Sequence, residues 1–461
     1  MATAELADQK VKTLKDKELK EQLQILRQTD NYTNLYYILR TWIYLVLVIG
    51  GSLWFHFYAE SQGWSVWWNV PVAIVAIVLV GAGQHQLSGL AHEGSHHILF
   101  RQRYWNDLAS DWLCMFPMFS TTHHYRLQHL AHHQFVNDPI RDPDVSQLQT
   151  SGHWLGFPLP KKQFLLELLK QLWIPNLIRF MRVRAAYNTI GTDKNPYMKK
   201  GWKPNKGPVR VGILYLGAQI GTLTGLVMHG NPLLLAIIPP ALLLLVLSYY
   251  VMIPAERFHQ SRVHPVIHPR WMTVMRMIFM TAVFNALAWI TLLTGRPAAL
   301  YFALLWIVPL FTSFSFFMIL RQLVQHGNGD RGWLTNTRVF LVNRFINFCV
   351  FPMGQDYHLP HHLYATVPHY RLKKLHEVLL DYPEYREQAT VVDGYFLPRH
   401  RPPVGPTVLD VLSPEYAPKE FHEVHIDNSV LEFDEVEDRE AIEREGEEEA
   451  RRLREQSMGS K

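Results

Sequence analysis

Six stretches of the chain are apolar over lengths that polar residues hardly interrupt: 36–57, 70–90, 211–228, 233–253, 272–293 and 298–320. At about 1.5 Å rise per residue, each can cross a hydrocarbon core of about 30 Å. The pattern predicts an all-α integral membrane bundle of four to six spanning helices, the range left by the last pair, which could lie partly in the interface. The stretches pair into hairpins around Glu60-Ser-Gln-Gly-Trp-Ser-Val-Trp-Trp68, His229-Gly-Asn-Pro232 and Thr294-Gly-Arg-Pro297. The first link carries three tryptophans and no Lys or Arg, as an outer interface should, whereas the lysine-rich segment before Tyr36 belongs inside. Residue 92 then emerges on the cytosolic face. The basic, Pro/Gly-broken linker 194–210 and Arg257, Arg262 and Arg270 suit the same side. Residues 104–119 are apolar but interrupted by Asn106, Asp107 and Asp111, which predicts a re-entrant or interfacial helix.

An even number of crossings returns residues 321–419 to the cytosol as a helical cap. The expected organisation is a cytosolic N-terminal segment (1–35), a membrane domain (36–419) and an acidic tail (420–461). The first 34 residues are charged and helix-prone, without the short apolar core of a signal peptide, and read as a solvated helix. The tail holds 15 acidic against 6 basic residues. It reads as disordered or an isolated helix. Because the whole chain is +5, the rest is strongly basic, which beside apolar segments suits anionic headgroups rather than nucleic acid. The two cysteines, Cys114 and Cys349, lack any metal-binding spacing. They exclude a disulfide framework and a cysteine-rich zinc site.

Histidine changes the picture. Of 24 copies, nine fall in three clusters beside the apolar stretches: His92-Glu-Gly-Ser-His96-His97, His129-Leu-Ala-His132-His133 and His358-Leu-Pro-His361-His362. Helix positions i, i+3 and i+4 share a face, so each of the last two clusters aims three imidazoles at one point. Pro360 is well placed in a first helical turn. In the first cluster His92 and His96 share a face and His97 points aside. His326, behind the last apolar stretch, is a tenth candidate. A zinc site uses about three or four protein ligands, whereas two metals need about eight to ten positions, and imidazole suits iron. A lone HxxHH is commonly incidental, but three clusters on one membrane face are not. The remaining histidines, His85, His123, His124, His259, His264 and His268 among them, read as structural or supporting.

Three other readings compete. His92-Glu93-Gly94-Ser95-His96 is formally HExxH, the zinc protease signature with Glu93 as base, although Gly94 weakens its helix and two clusters would stand idle. Glu93-x-x-His96 and Glu256-x-x-His259 form the pair of ExxH motifs found in carboxylate di-iron bundles, again stranding most histidines. A metal transporter would place ionisable groups inside the spans, whereas these clusters sit at span ends.

With its clusters placed, the sequence resembles the membrane fatty acid desaturase and hydroxylase superfamily over about residues 36–380: one HxxxHH box, two HxxHH boxes and their order relative to the apolar hairpins. Asn137-Asp-Pro, Arg141-Asp-Pro-Asp and Val367-Pro-His-Tyr-Arg-Leu also look family-like. The resemblance implies iron ligation by His92, His96, His97, His129, His132, His133, His358, His361 and His362, with His326 matching the family's extra histidine. It implies two non-haem irons, O2, electrons from an external ferredoxin or small cytochrome, and a membrane-derived acyl chain reaching the irons through an apolar tunnel. The expected activity is O2-dependent desaturation of a lipid-linked acyl chain. The related hydroxylation or ketolation of fatty acyl, sphingolipid or carotenoid substrates is the alternative. Asp138, Asp142 and Asp144 are candidates to support ligand histidines from behind.

Overall fold

The computed structural model describes residues 12–416 apart from 140, 192–194, 200 and 204, together with residue 444. The acidic-tail expectation therefore lies, but for one residue, outside the described residues. The helices in order are α1 (Lys17–Leu26), α2 (Thr33–Ser61), α3 (Asn69–Ser95), α4 (Arg103–Ser110), α5 (Thr122–Gln134), α6 (Pro143–Ser151), α7 (Lys161–Gln171), α8 (Ile174–Ile190), α9 (Gly207–His229) and α10 (Pro232–Met252). They continue with α11 (Pro269–Thr294), α12 (Ala298–Phe302), α13 (Val308–Phe311), α14 (Ser313–His326), α15 (Arg344–Val350), α16 (His358–Leu363), α17 (Leu372–Leu379), α18 (Pro383–Gln388) and α19 (Val408–Val411). Among the described residues one short parallel pair interrupts the helices: β1 (Arg338–Leu341) runs beside β2 (Thr390–Asp393), with Arg338 opposite Thr390.

Among the described residues six helical segments are long and apolar enough to cross a membrane: Thr33–Ser61, Val66–Ser95, Gly207–His229, Pro232–Met252, Pro269–Thr294 and Ala298–His326. Each contains one of the apolar stretches, except that Ile253 of the fourth lies one residue past its helix. Their outer faces leave Leu47, Leu214 and Leu245 about two-thirds exposed or more, an apolar exterior that lipid can cover. The last segment is a broken helix. A wide turn at Ala303–Ile307 precedes Val308-Pro309, and the Trp306 carbonyl in it accepts from the buried Gln84 side chain at 2.8 Å. A displaced helical carbonyl is thereby satisfied without water.

Helix α3 carries the organisation. Its first half faces outward through Ile74 and Val75, whereas every residue from Val80 to Ser95 is buried. Helix α14 lies against it at Gly81, where a Cβ would come within 2.1 Å of Ser313 Oγ. The small residue sets how closely these two histidine-bearing helices approach. Helix α1, expected as a solvated surface helix, instead buries Leu19 and Leu23 in a core with Leu375, Leu379 and Tyr385. Its apolar stripe at i and i+4 is narrow but sufficient to dock it on the C-terminal cap.

Candidate metal centre

The first histidine cluster closes α3. His92 and His96 follow one another by four residues at its buried end, and the chain then reverses at His97, whose φ of 57° is left-handed. The second cluster lies on α5, whose first backbone amide, Thr122 N, donates to the buried Asp111 carboxylate at 2.7 Å. That carboxylate satisfies an otherwise orphaned helix-end donor. The third cluster is α16 itself, with Pro360 inside its first turn. His326 ends α14.

Nine of the ten candidate ligands converge, in two groups. His92, His96, His129, His133 and His361 form one, and His132, His326, His358 and His362 the other, each with ligand atoms within 4.8 Å of one another. Helical spacing predicts that each HxxHH cluster meets at one point; instead helices α5 and α16 each serve both groups. His129 and His133 share the first while His132 faces the second, and His358 and His362 share the second while His361 faces the first. Within the first group, His129 Nε2 lies 2.8 Å from His96 Nε2 and 2.9 Å from His133 Nε2, which is 3.1 Å from His361 Nε2. Within the second, His326 Nε2 lies 3.2 Å from His132 Nε2 and 3.0 Å from His358 Nε2, which is 3.1 Å from His362 Nε2.

This donor set fits metal. A neutral imidazole has one donor nitrogen and one acceptor, so several Nε2 atoms facing one point cannot all be satisfied by each other. Around a cation with bonds of about 2 Å, neighbouring nitrogens sit about 3 Å apart, which is the spacing found. Burial holds His129, His133, His358 and His362 well below the usual histidine range, so their lone pairs are free. Burial works the same way on His132, but the Asp142 carboxylate at 3.0 Å, with Asp144 beyond it, overcomes it and raises this group to about 9. Asp142 accepts a hydrogen bond from Nδ1–H, which turns Nε2 toward its group. The Asn336 carbonyl does the same for His326 at 3.0 Å.

The structure turns His97 away from both groups. Its Nδ1 lies 3.4 Å from an Arg126 guanidinium nitrogen and 3.5 Å from Asp107 Oδ1. The backbone reversal after α3 is the cause, and the sideways direction read from helical spacing describes it better than the family pattern does. Of the three aspartates, Asp142 is hydrogen-bonded to a converging histidine, His132. Asp138 pairs with Arg141 at 2.7 Å and approaches Arg331 at 3.4 Å. Asp144 lines the space over the histidines and bonds none of them.

Sequence reasoning missed the brace between the first two clusters. Arg126 on α5 is fully buried, pairs with Asp107 at 2.5 and 2.9 Å, and donates to the carbonyls of Gly94 and Ser95 at 2.8 Å each. Asn106 donates to the Gly94 carbonyl at 2.8 Å and accepts from Leu99 N at 2.9 Å. The polar residues that interrupted 104–119 thus tie α3, α4 and α5 into one unit. Gln355 also went unnoticed, its Nε2 lying 3.1 Å from His92 Nε2.

The competing motifs fare poorly. Glu93 Oε2 accepts from His369 N at 2.8 Å and the side chain is fully buried, so it is committed to the cap rather than free to activate water. His92 and His96 join three more imidazoles, more than a three-ligand protease zinc would use. Glu256 is exposed, and His259 packs on His124 at a ring separation of 4.5 Å, apart from both groups. His85 is held by the Cys349 carbonyl at 2.7 Å and His376 by the Tyr385 hydroxyl at 2.7 Å. Beside the histidines lies an apolar cavity of about 280 Å³ lined by Met118, Phe119, Leu310, Phe311 and Phe314.

The fatty acid desaturase family profile matches residues 65–270 and 241–392. The chain is 25% identical over 350 residues, 73% of its length and 76% of the relative's, to dihydrorhizobitoxine desaturase of Bradyrhizobium elkanii. It is 28% identical over 125 residues, 27% of its length and 25% of the relative's, to Delta(5) fatty acid desaturase fat-4 of Caenorhabditis elegans.

Proposed function

The chain belongs to the fatty acid desaturase family and is a multi-pass membrane oxidoreductase, and we propose that it desaturates an acyl chain with O2 at two histidine-held irons. The balanced reaction removes one hydrogen from each of two adjacent carbons. One O2, two electrons and two protons enter, and one double bond and two waters leave. The observation that carries this reading is the convergence of His92, His96, His129, His133 and His361 beside His132, His326, His358 and His362. Iron held there would supply O2 activation and C–H abstraction. Electrons come from a separate donor protein, a ferredoxin or small cytochrome.

The chain's own residues do the positioning. Asp142 and the Asn336 carbonyl fix the tautomers of His132 and His326. The Arg126–Asp107 brace keeps His96 and His129 in register across two helices. The Phe- and Met-lined cavity holds hydrocarbon and keeps bulk water from the reacting carbons. The histidines, the cap and both termini lie on the cytosolic side in this reading, supported by the basic residues around 194–210.

The test is the profile of membrane lipids and soluble acids of a host expressing the chain with a donor system, beside a His132→Ala control. New double bonds absent from the control support desaturation. An inserted oxygen would move the assignment to hydroxylation within the same chemistry. No oxidised product from a metal-loaded, reduced protein would sink the proposal.

A further inference from the structure

The space over the histidines is polar where an acyl chain alone would need hydrocarbon walls. His92, His129, His132 and His358 form one side of it, and Arg184, Arg321, Gln128, Gln147 and Gln322 line much of the rest. These five are at least nine-tenths buried, and several of their polar atoms have no partner: Arg321 Nε, both amide atoms of Gln322, Gln147 Nε2 and Gln128 Oε1. Native interiors rarely leave so many orphans together.

Charge sharpens the point. Among the described residues neither Arg184 nor Arg321 forms an ion pair. Arg184 has only a long 3.5 Å bond to Gln147 Oε1 and a ring contact with Tyr125 at 5.9 Å. The nearby Asp142 is already committed to His132 and Asn137 N. Asp144 lines the same space, so two guanidiniums face one further carboxylate. A buried, unpaired guanidinium is costly unless an anion arrives to pair with it, and its fork of donors matches carboxylate or phosphate oxygens.

The apolar cavity of about 280 Å³ adjoins this space, sharing Tyr125, Arg184 and Asn188 with it. We propose that Arg184 and Arg321 bind an anionic group of the substrate, a carboxylate or phosphate, while its apolar body occupies that cavity. The polar space is small, about 20 Å³, far too narrow for the apolar body, which stays in the adjoining cavity. An anion held there leaves only the nearest carbons against the histidines, so the bond oxidised lies close to the charged end and not in mid-chain. This deepens the desaturase reading and rests on it for the reaction, though not for the binding.

The experiment reads binding without turnover. The full chain, metal-loaded and without electron donor, is titrated in neutral phosphatidylcholine nanodiscs with octanoate, octanamide and dioctanoyl phosphatidate. An anionic probe should bind about 10- to 100-fold more tightly than octanamide. Arg321→Gln and Arg184→Gln should each remove that preference and leave octanamide affinity unchanged, and Arg321→Lys should restore part of it. Metal content and thermal unfolding identify any variant that fails to fold, in which case the Lys variant carries the test. Preference for octanoate alone assigns a free acid, and preference for phosphatidate alone a lipid headgroup. Equal affinity for octanoate and octanamide, or a preference that survives both Gln variants, overturns the proposal. Because no oxidation is involved, a chain that binds anions but makes no double bond would refute the desaturase reading alone.

Discussion

Asp111 is 1% exposed, with its carboxylate under the first turn of α5. Burial pushes its pKa up to about 7, against the pull of the Thr122 hydrogen bonds. Between its unfolded value of about 4 and about 7, the folded state holds more protons than the unfolded state. Stability contributed here is therefore present at low pH and lost as pH rises toward 7 and beyond. The thermal midpoint of the purified chain should fall between pH 5 and pH 8, and Asp111→Asn, which keeps the acceptor for Thr122 N, should flatten that fall. An unchanged slope in the variant would assign it to other groups. His97 offers a second residue-scale test, because its ring faces Arg126 and Asp107 rather than either histidine group. His97→Ala should retain the wild-type metal content, whereas His96→Ala should lose metal from the first group. Equal loss in both would return His97 to the ligand set.

At the scale of elements, the centre depends on how closely three helices approach. A Cβ at Gly94 would fall 2.3 Å from Ser110 Oγ and 2.7 Å from Ser110 Cβ. Gly94→Ala forces α3 and α4 apart and should cost about 1–3 kcal/mol, read as a lower thermal midpoint, with Ser110→Gly recovering part of it in the double variant. An additive double variant would show that the two residues do not interact. The glycine that weakens an HExxH helix in isolation is here the contact that lets α4 dock. What the sequence displayed well were features with a period: the apolar lengths, the HxxHH spacing and the proline in the first turn of α16. What it hid were pairs joined across the chain. Asp107 and Arg126 are 19 residues apart, Asn106 reaches the Gly94 carbonyl 12 residues back, and Gln355 meets His92 from 263 residues away. Each looks like an ordinary polar residue until the helices are packed. The four-residue strands β1 and β2 are too short, and too far apart in sequence, to show any alternation.

For the whole molecule, the decisive feature is that long apolar helices converge on a polar centre at their ends. Helices α3 and α14 each bring their terminal histidines out of a candidate span, and α5 and α16 meet them from outside the membrane segments. The apolar stretches foretold the spans, but their lengths carried no information on the break in the last one, where the Trp306 carbonyl accepts from the Gln84 amide. The central claim is that these nine histidines hold two irons. Metal analysis of the full purified chain tests it most directly. We expect about two irons per chain in the wild type, and about one when the first group alone is disrupted by His96→Ala or the second alone by His326→Ala. A single zinc per chain, or an iron content indifferent to both substitutions, would contradict it.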